Sequence, residues 1–422
     1  MRSSSRISTS FMPLFLVPLC IALMSACSSP SPPPCTDVLG CVDISPGAPV
    51  KLGVIQSLSG DTAILGQEQI RGLELALDRR GNALLGREVK LQTEDTGCAA
   101  EGGANAALKI VADPQILAIF GTTCSSDAAS AAAIMSKSGL VMISGNNSAS
   151  YLTSSRGRKA SKWQAGYFRT APNEESAGPA AARHAFNMGL RKAALIDDGE
   201  IYTKGLTSGF QEEFTRLGGR VVLDASITST DPNMGPVLSA VRNAGAELIF
   251  FPLFQPDGNN LLLQARSTPG FENVVLMSDG ALIDASFLSV VGDAAKGMYF
   301  VGPTPPSKTP EGDRLAAEYK ARFGSPPPTI YYASAFDAAC ILFDALEKTA
   351  TSMPDGTLRV GRQALREAMY ATRDFKGVSS PMTCNEFGDC AAQSFNVLRL
   401  DDPALGLEGL KRSVVFTFSP ES

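Results

Sequence analysis

Two short turns carry the groups best suited to holding an anion. Thr122-Thr123-Cys124-Ser125-Ser126 follows the apolar run Ile116–Phe120 and Gly121. Ser144-Gly145-Asn146-Asn147-Ser148 follows Leu140–Ile143. Both apolar runs read as buried strands, and both turns open helices. A helix start offers free N–H groups and a positive dipole end, which suits a carboxylate or a phosphate. A third candidate is Asp279, which ends the strand-like run Val274–Met277 and precedes Gly280. An aspartate in that position caps a turn. It also suits the ammonium of a zwitterion, which needs a counter-charge once desolvated.

The same residue types invite a hydrolase reading, and the rest of the chain opposes it. There is no Gly-x-Ser-x-Gly and no paired carboxylate constellation. The single histidine, His184, sits in the helical stretch GPAAARHAFNMG, near no candidate serine. There is no Cys-x-x-Cys for zinc, and the glycines of Ser57–Gly66 form neither Gly-x-Gly-x-x-Gly nor Gly-Lys-Ser/Thr. No catalytic residue, metal or cofactor is expected. With a net charge of −5 there is no basic excess, so nucleic acid is excluded as a partner.

The elements that must position these turns alternate between strand and helix. Lys51–Gln56 reads as a strand, Ser57–Gly66 as a loop and Gln67–Arg80 as a helix. Val89–Glu94, Ala104–Ala112, Ile116–Phe120 and Leu140–Ile143 continue the pattern. Such alternation implies parallel strands, so both turns lie at the carboxyl edge of one sheet, where open α/β sheets bind ligands. The plan then repeats. Strands Ala193–Asp197, Arg220–Ala225, Leu248–Leu253 and Val274–Met277 alternate with helices Thr207–Leu217, Met234–Ala244 and Asn260–Ser267. Helices follow at Gly312–Phe323, Tyr332–Thr349 and Gly361–Thr372, then strands at Ser394–Leu400 and Ser413–Phe418. The 422 residues, 44% of them hydrophobic, suffice for two lobes with separate cores.

The first 26 residues read as a secretory signal: Arg2 and Arg6, an apolar stretch from Phe11 to Met24, then Ser25-Ala26. Leu23-Met24-Ser25-Ala26-Cys27 resembles a bacterial lipobox, with Cys27 as the lipidated residue. Residues 27–48, with Ser-Ser-Pro-Ser-Pro-Pro-Pro at 28–34, read as a tether from the membrane. The expected location is extracytoplasmic, lipid-anchored to the cell membrane or the outer membrane.

Cys98 and Cys124, bracketing a helix and a strand, and the Cys124-Ser125-Ser126 turn resemble the leucine/isoleucine/valine-binding proteins of bacterial ABC transporters. The likeness extends along the mature chain. It implies a type I periplasmic binding protein fold: α/β, two doubly wound lobes joined by a three-strand hinge. Arg169-Thr170-Ala171-Pro172, Gly297–Pro303 and Phe375–Pro381 resemble its crossovers. The lobes are then 49–170 with 301–376, and 171–300 with 377–422. The resemblance places the ligand carboxylate on Ser125, Ser148 and the backbone N–H groups around them, with Asn146 and Asn147 lining the site in place of smaller residues, and its ammonium on Asp279. It puts Tyr202 over the closed site, with Leu65 and Phe254 bounding the side-chain pocket. Leu65 stands where the family member compared has an aromatic residue, and Asp279 where it has a glutamate.

The family pairs Cys98 with Cys124. Cys384 and Cys390 flank a hairpin turn in which Gly388 supplies a positive φ, Cys35 and Cys41 form a third pair, and Cys340 stays free as a small buried residue. The function implied is capture of an amino acid, branched-chain or related, by a monomer that delivers it to ABC permease subunits. Alternatives are a sensor passing its closed state to a membrane receptor, or a binding protein for an amide, urea or carboxylic acid.

Overall fold

The structure, a computed structural model, describes residues 1, 4–10, 33–229, 231–303 and 309–419. The apolar core of the signal, Cys27 and the tether up to residue 32 lie outside the described residues.

In the first lobe, strands Val50–Gln56, Arg87–Asp95, Ile116–Gly121, Met142–Ser144 and Tyr167–Arg169 run parallel, with helices α1 (Ala63–Asp78), α2 (Ala100–Val111) and α3 (Ser125–Lys137) between them. Arg87–Asp95 and Ile116–Gly121 flank Val50–Gln56, and the short strand Ala83–Leu84 adds antiparallel at the edge. Ile116–Gly121 is buried along its whole length, as a continuous apolar run demands when helices cover both faces. Helix α2 packs closely on α3 because Gly103 carries no side chain; an added Cβ would lie 2.4 Å from the Asp127 carbonyl oxygen.

The second lobe repeats the plan with α4 (Ala177–Asn187), α5 (Ile201–Arg216), α6 (Gly235–Ala244), α7 (Asp257–Ser267) and α8 (Ala285–Val291). Its sheet runs Arg220–Ser226, Lys192–Asp197, Leu248–Phe250, Val275–Asp279 and Tyr299–Pro303, all parallel. Phe395–Arg399 and Val414–Phe418 then add antiparallel. Helices α9 (Pro310–Phe323), α10 (Tyr332–Thr349) and α11 (Arg362–Tyr370) return to the first lobe, and α12 (Gly406–Arg412) lies on the second. Helix α10 supplies much of the first lobe's core, including the free, buried Cys340.

Three expectations need correction. Helix α1 starts at Ala63, four residues early, so Leu65 lies in its first turn. Gly66 therefore lies in the helix and not in the loop, and its bare Cα lets the helix settle on Ser57, whose carbonyl oxygen an added Cβ would meet at 1.8 Å. The tether is shorter than 27–48. Cys41–Ile44 pairs antiparallel with Leu358–Gly361, and Val42 and Ile44 are buried in the core. Asp37 accepts from the Gln363 and Ala364 N–H groups at the start of α11, both at 3.0 Å. Burial raises its carboxyl, but these N–H groups outweigh that and hold it below the usual value.

The last crossing comes later than Phe375–Pro381. Met382, Cys384 and Cys390 still belong to the first lobe's core. The chain joins the second sheet only where Phe395 pairs with Pro303. The hairpin stays behind because Arg169, fully buried, holds Asp389 at 2.6 Å. Disulfides join Cys35–Cys41, Cys98–Cys124 and Cys384–Cys390, and Gly388 has φ +98°. The described parts of the three crossings surround a cavity of about 230 Å³, lined among others by Thr170–Pro172, Pro303, residues 379–381, Ala391, Ala392 and Ser394. A hinge of this kind permits the lobes to close on a ligand.

Candidate functional site

The carboxyl ends of both sheets face one another. Cys124, in extended conformation, precedes α3, and no side chain caps that helix. The first N–H groups of α3 have no carbonyl one turn back, so they point outward. The Ser125 hydroxyl accepts from the Ala149 N–H at 3.3 Å and keeps its own proton to donate. Thr123 is fixed behind it, accepting from the Ser57 N–H at 2.8 Å and donating to Gln56 Oε1 at 2.7 Å.

Leu65, Thr123, Cys124, Ser125, Asn146 and Ser148 from the first lobe meet Tyr202, Phe254 and Ala281 from the second, with Tyr331 beside them, around one small cavity. Its free volume is about 30 Å³, little more than one water molecule, so an amino acid enters only as the lobes part. Six of the eight residues expected at the ligand therefore share one cavity. The Tyr202 and Phe254 rings lie 5.6 Å apart and form its second-lobe wall.

Asn147 and Asp279 do not line it. Asn147 is 1% exposed and its amide is spent inside the first lobe. It donates to the Cys124 carbonyl at 2.8 Å and accepts from the Tyr167 hydroxyl at 2.9 Å and the Thr122 N–H at 3.3 Å. It joins the two turns instead of facing a ligand. Asp279 is also 1% exposed. One oxygen accepts from the Tyr202 hydroxyl and, at 3.2 Å, from the Ala281 N–H; the other accepts from Ser278 at 3.3 Å. Burial pushes its carboxyl up to about 6 against the pull of those donors. The same burial, with Asp279 alongside, pushes the Tyr202 phenol far up.

Sequence reasoning missed Tyr331 and two acids. Tyr331 follows the proline break at 326–328 and touches both lobes. Its loop is pinned to α1 by Glu68, which is buried and accepts from the Thr329 hydroxyl and, at 3.0 Å, from the Thr329 N–H. Glu174 is 3% exposed and accepts from the Ser148 hydroxyl at 3.3 Å. It lines a second small cavity that shares Ser148, Tyr202 and Tyr331 with the first. Glu200 caps α5 by accepting from the Tyr202 N–H. Burial raises its carboxyl, against the opposing pull of Ser126 on α3. Among the described residues no lysine or arginine lines either cavity. The nearby Arg169 is committed to Asp389 and to the Ala149 carbonyl. The site thus offers helix N–H groups and a hydroxyl in one cavity, and the Glu174 carboxyl in the adjoining one. Among the described residues no group of side chains has the make-up of a metal site.

Residues 49–402 match the family model described as periplasmic binding protein. A Leu/Ile/Val-binding protein homolog from Brucella melitensis is 25% identical over 365 residues, covering 86% of this chain and 94% of that protein. A leucine binding protein from Thermotoga maritima superposes with a TM-score of 0.75 at 24% identity, covering 88% of this chain and 99% of that one. A solute binding protein of an ABC transporter from R. palustris, in complex with benzoate, reaches a TM-score of 0.72 at 21% identity, over 83% and 93% of the two chains. At these identities the two solved structures show the shared fold.

Proposed function

The chain belongs to the periplasmic binding protein family, and from that premise we propose that it is the lipid-anchored, extracytoplasmic substrate-binding component of an ABC importer, closing its two lobes on an amino acid of the branched-chain class or a near relative. Its family is one of solute-binding proteins, so it is not an enzyme. The observation that carries the amino-acid reading is the polarity of the cleft. A ligand carboxylate fits the Ser125 hydroxyl and the outward N–H groups of α3, with Ser148 and Asn146 alongside. A ligand ammonium fits the adjoining cavity, where Glu174 brings a buried carboxyl group and, among the described residues, no cationic side chain lines either cavity. Leu65, Phe254 and Tyr331 leave an apolar patch for a side chain.

The benzoate-bound relative raises a second reading, a simple carboxylic acid. Such a ligand brings no positive charge to Glu174, and burying its carboxylate beside another acid is costly. Both lobes contribute lining residues, so binding and closure are coupled. A thermal-shift panel of amino acids, amides and carboxylic acids on the purified protein tests the proposal. Ligand at a hundred times its dissociation constant stabilises the folded state by about 2.7 kcal/mol. Stabilisation by leucine, isoleucine or valine supports the reading; stabilisation by benzoate-like acids and by no amino acid refutes it.

A further inference from the structure

Asp279 is the acid that sequence position nominates for the ligand's ammonium, yet its oxygens are already occupied by Tyr202, Ala281 and Ser278, and it faces neither cavity. Glu174 stands differently. It sits just past the first crossing, in the turn Glu174–Ser176 that leads into α4. Asn173 pins that turn to the first lobe by donating to the Ser154 carbonyl at 2.8 Å. The Glu174 N–H donates to the Ser148 carbonyl at 2.8 Å, so the residue is fixed directly beneath the Ser148 turn. Its carboxyl lines the second cavity together with Ser148, Tyr202, Gly280 and Tyr331, among apolar walls. From the other side α5 approaches through Gly205, where an added Cβ would meet Oε1 at 2.2 Å. Its carboxyl accepts from the Ser148 hydroxyl at 3.3 Å and from the Ser150 N–H, both neutral donors.

Burial holds the Glu174 carboxyl well above its usual value, and in the ionised form a group this buried needs a partner of opposite charge. The cation near it, Arg169, is taken by Asp389. A second charged neighbour, Glu200, is of like sign.

We propose that Glu174 is the direct partner of the ligand's ammonium and that Asp279 is a positioning residue, acting through the Tyr202 hydroxyl. This rests on the amino-acid reading and sharpens it to ligands carrying a primary ammonium close to a carboxylate. The ammonium end lies under Ser148, between Glu174 and Tyr202. The Ser148 hydroxyl then serves Glu174 more than the ligand's carboxylate, which falls to Ser125 and α3.

Calorimetry with leucine and with 4-methylpentanoate, which has the same carbon skeleton and no ammonium, tests the proposal. Glu174→Gln is expected to weaken leucine roughly 10- to 100-fold, the range for a hydrogen bond to a charged group, without weakening 4-methylpentanoate. Glu174→Asp keeps the charge and is expected to retain part of the leucine affinity; should the glutamine variant fail to fold, it must still lose leucine more than 4-methylpentanoate. Asp279→Asn is expected to reduce both ligands alike. A change of less than about twofold for leucine in Glu174→Gln, or a leucine-selective loss larger in Asp279→Asn than in Glu174→Gln, overturns the proposal while leaving the amino-acid reading intact. A wild-type protein that binds no amino acid overturns both.

Discussion

Replacing Asp389 by alanine should unfold the lobe-1 side of the hinge more readily than any surface change. Arg169 is fully buried and Asp389 is 4% exposed, with Nε and Oδ1 at 2.6 Å. The guanidinium also donates to the Ala149 carbonyl at 2.8 Å and to the Thr153 hydroxyl. The carboxylate accepts from Thr153 at 2.8 Å and Ser154 at 2.9 Å. The backbone follows the same seam: Arg169 N–H bonds the Gly388 carbonyl and Cys390 N–H bonds the Arg169 carbonyl, each at 3.0 Å. Removing the carboxylate leaves a buried cation with only neutral acceptors, a loss of about 3–5 kcal/mol. Against a whole-protein stability of about 5–15 kcal/mol that is a large share.

Burial alone would raise the Asp389 carboxyl, but Arg169 and the two hydroxyls hold it below its usual 3.8. The pair's contribution is therefore complete above pH 3.8 and fades as the pH falls through the lower native value, so wild type and variant converge in acid. Urea denaturation can be followed by the single tryptophan. Trp163 donates to the Phe387 carbonyl at 3.1 Å, in the same hairpin. Exchanging both partners for apolar residues, Arg169→Met with Asp389→Leu, should recover much of the loss. A loss below about 1 kcal/mol at neutral pH for Asp389→Ala would refute the reasoning, since an exposed pair costs no more than that.

Reducing Cys98–Cys124, which closes 26 residues of chain, should lower the unfolding free energy by about 3 kcal/mol on chain-entropy grounds; an unchanged urea midpoint under reductant would count against it. Glu68 is pushed up from 4.5 to about 7, mainly by burial. A raised native value means its contribution is present below pH 4.5 and lost as the pH climbs through 7. Wild type should thus lose up to about 3 kcal/mol across that window relative to Glu68→Gln, which parallel melting curves against pH would reveal as equal slopes if the idea is wrong. Cys27→Ser should move the protein out of the membrane fraction or leave its signal uncleaved; a wild-type protein found wholly soluble with an unmodified N-terminus removes the anchor.

Much of the site was legible because it follows from strand-helix alternation. Buried runs such as Ile116–Gly121 fix which turns meet at the sheet edge, and the hydroxyls of Ser125 and Ser148 then fall into place. Cys384, Cys390 and Gly388 form one local hairpin that survived folding unchanged, whereas the Cys98–Cys124 pair was legible through the family resemblance. What escaped depends on long-range approach. Glu174 reads as an ordinary acid at a helix start, and only the approach of Gly205 on α5 buries it. Asn147 looks like its neighbour Asn146 until Tyr167 and Cys124 claim its amide. Gly66 reads as a loop residue because nothing nearby in sequence announces the contact with Ser57. Val42 and Ile44 lie beside a proline-rich stretch and gain their strand only from Leu358–Gly361, more than three hundred residues away.

A crystal structure of the protein grown with leucine tests the central claim most directly. The account predicts one leucine between the lobes, its carboxylate on Ser125 and the first N–H groups of α3, its ammonium within hydrogen-bond distance of Glu174, and its side chain against Leu65 and Phe254. A cleft that stays empty of leucine, yet takes up benzoate with its carboxylate at α3 under the same conditions, would contradict it.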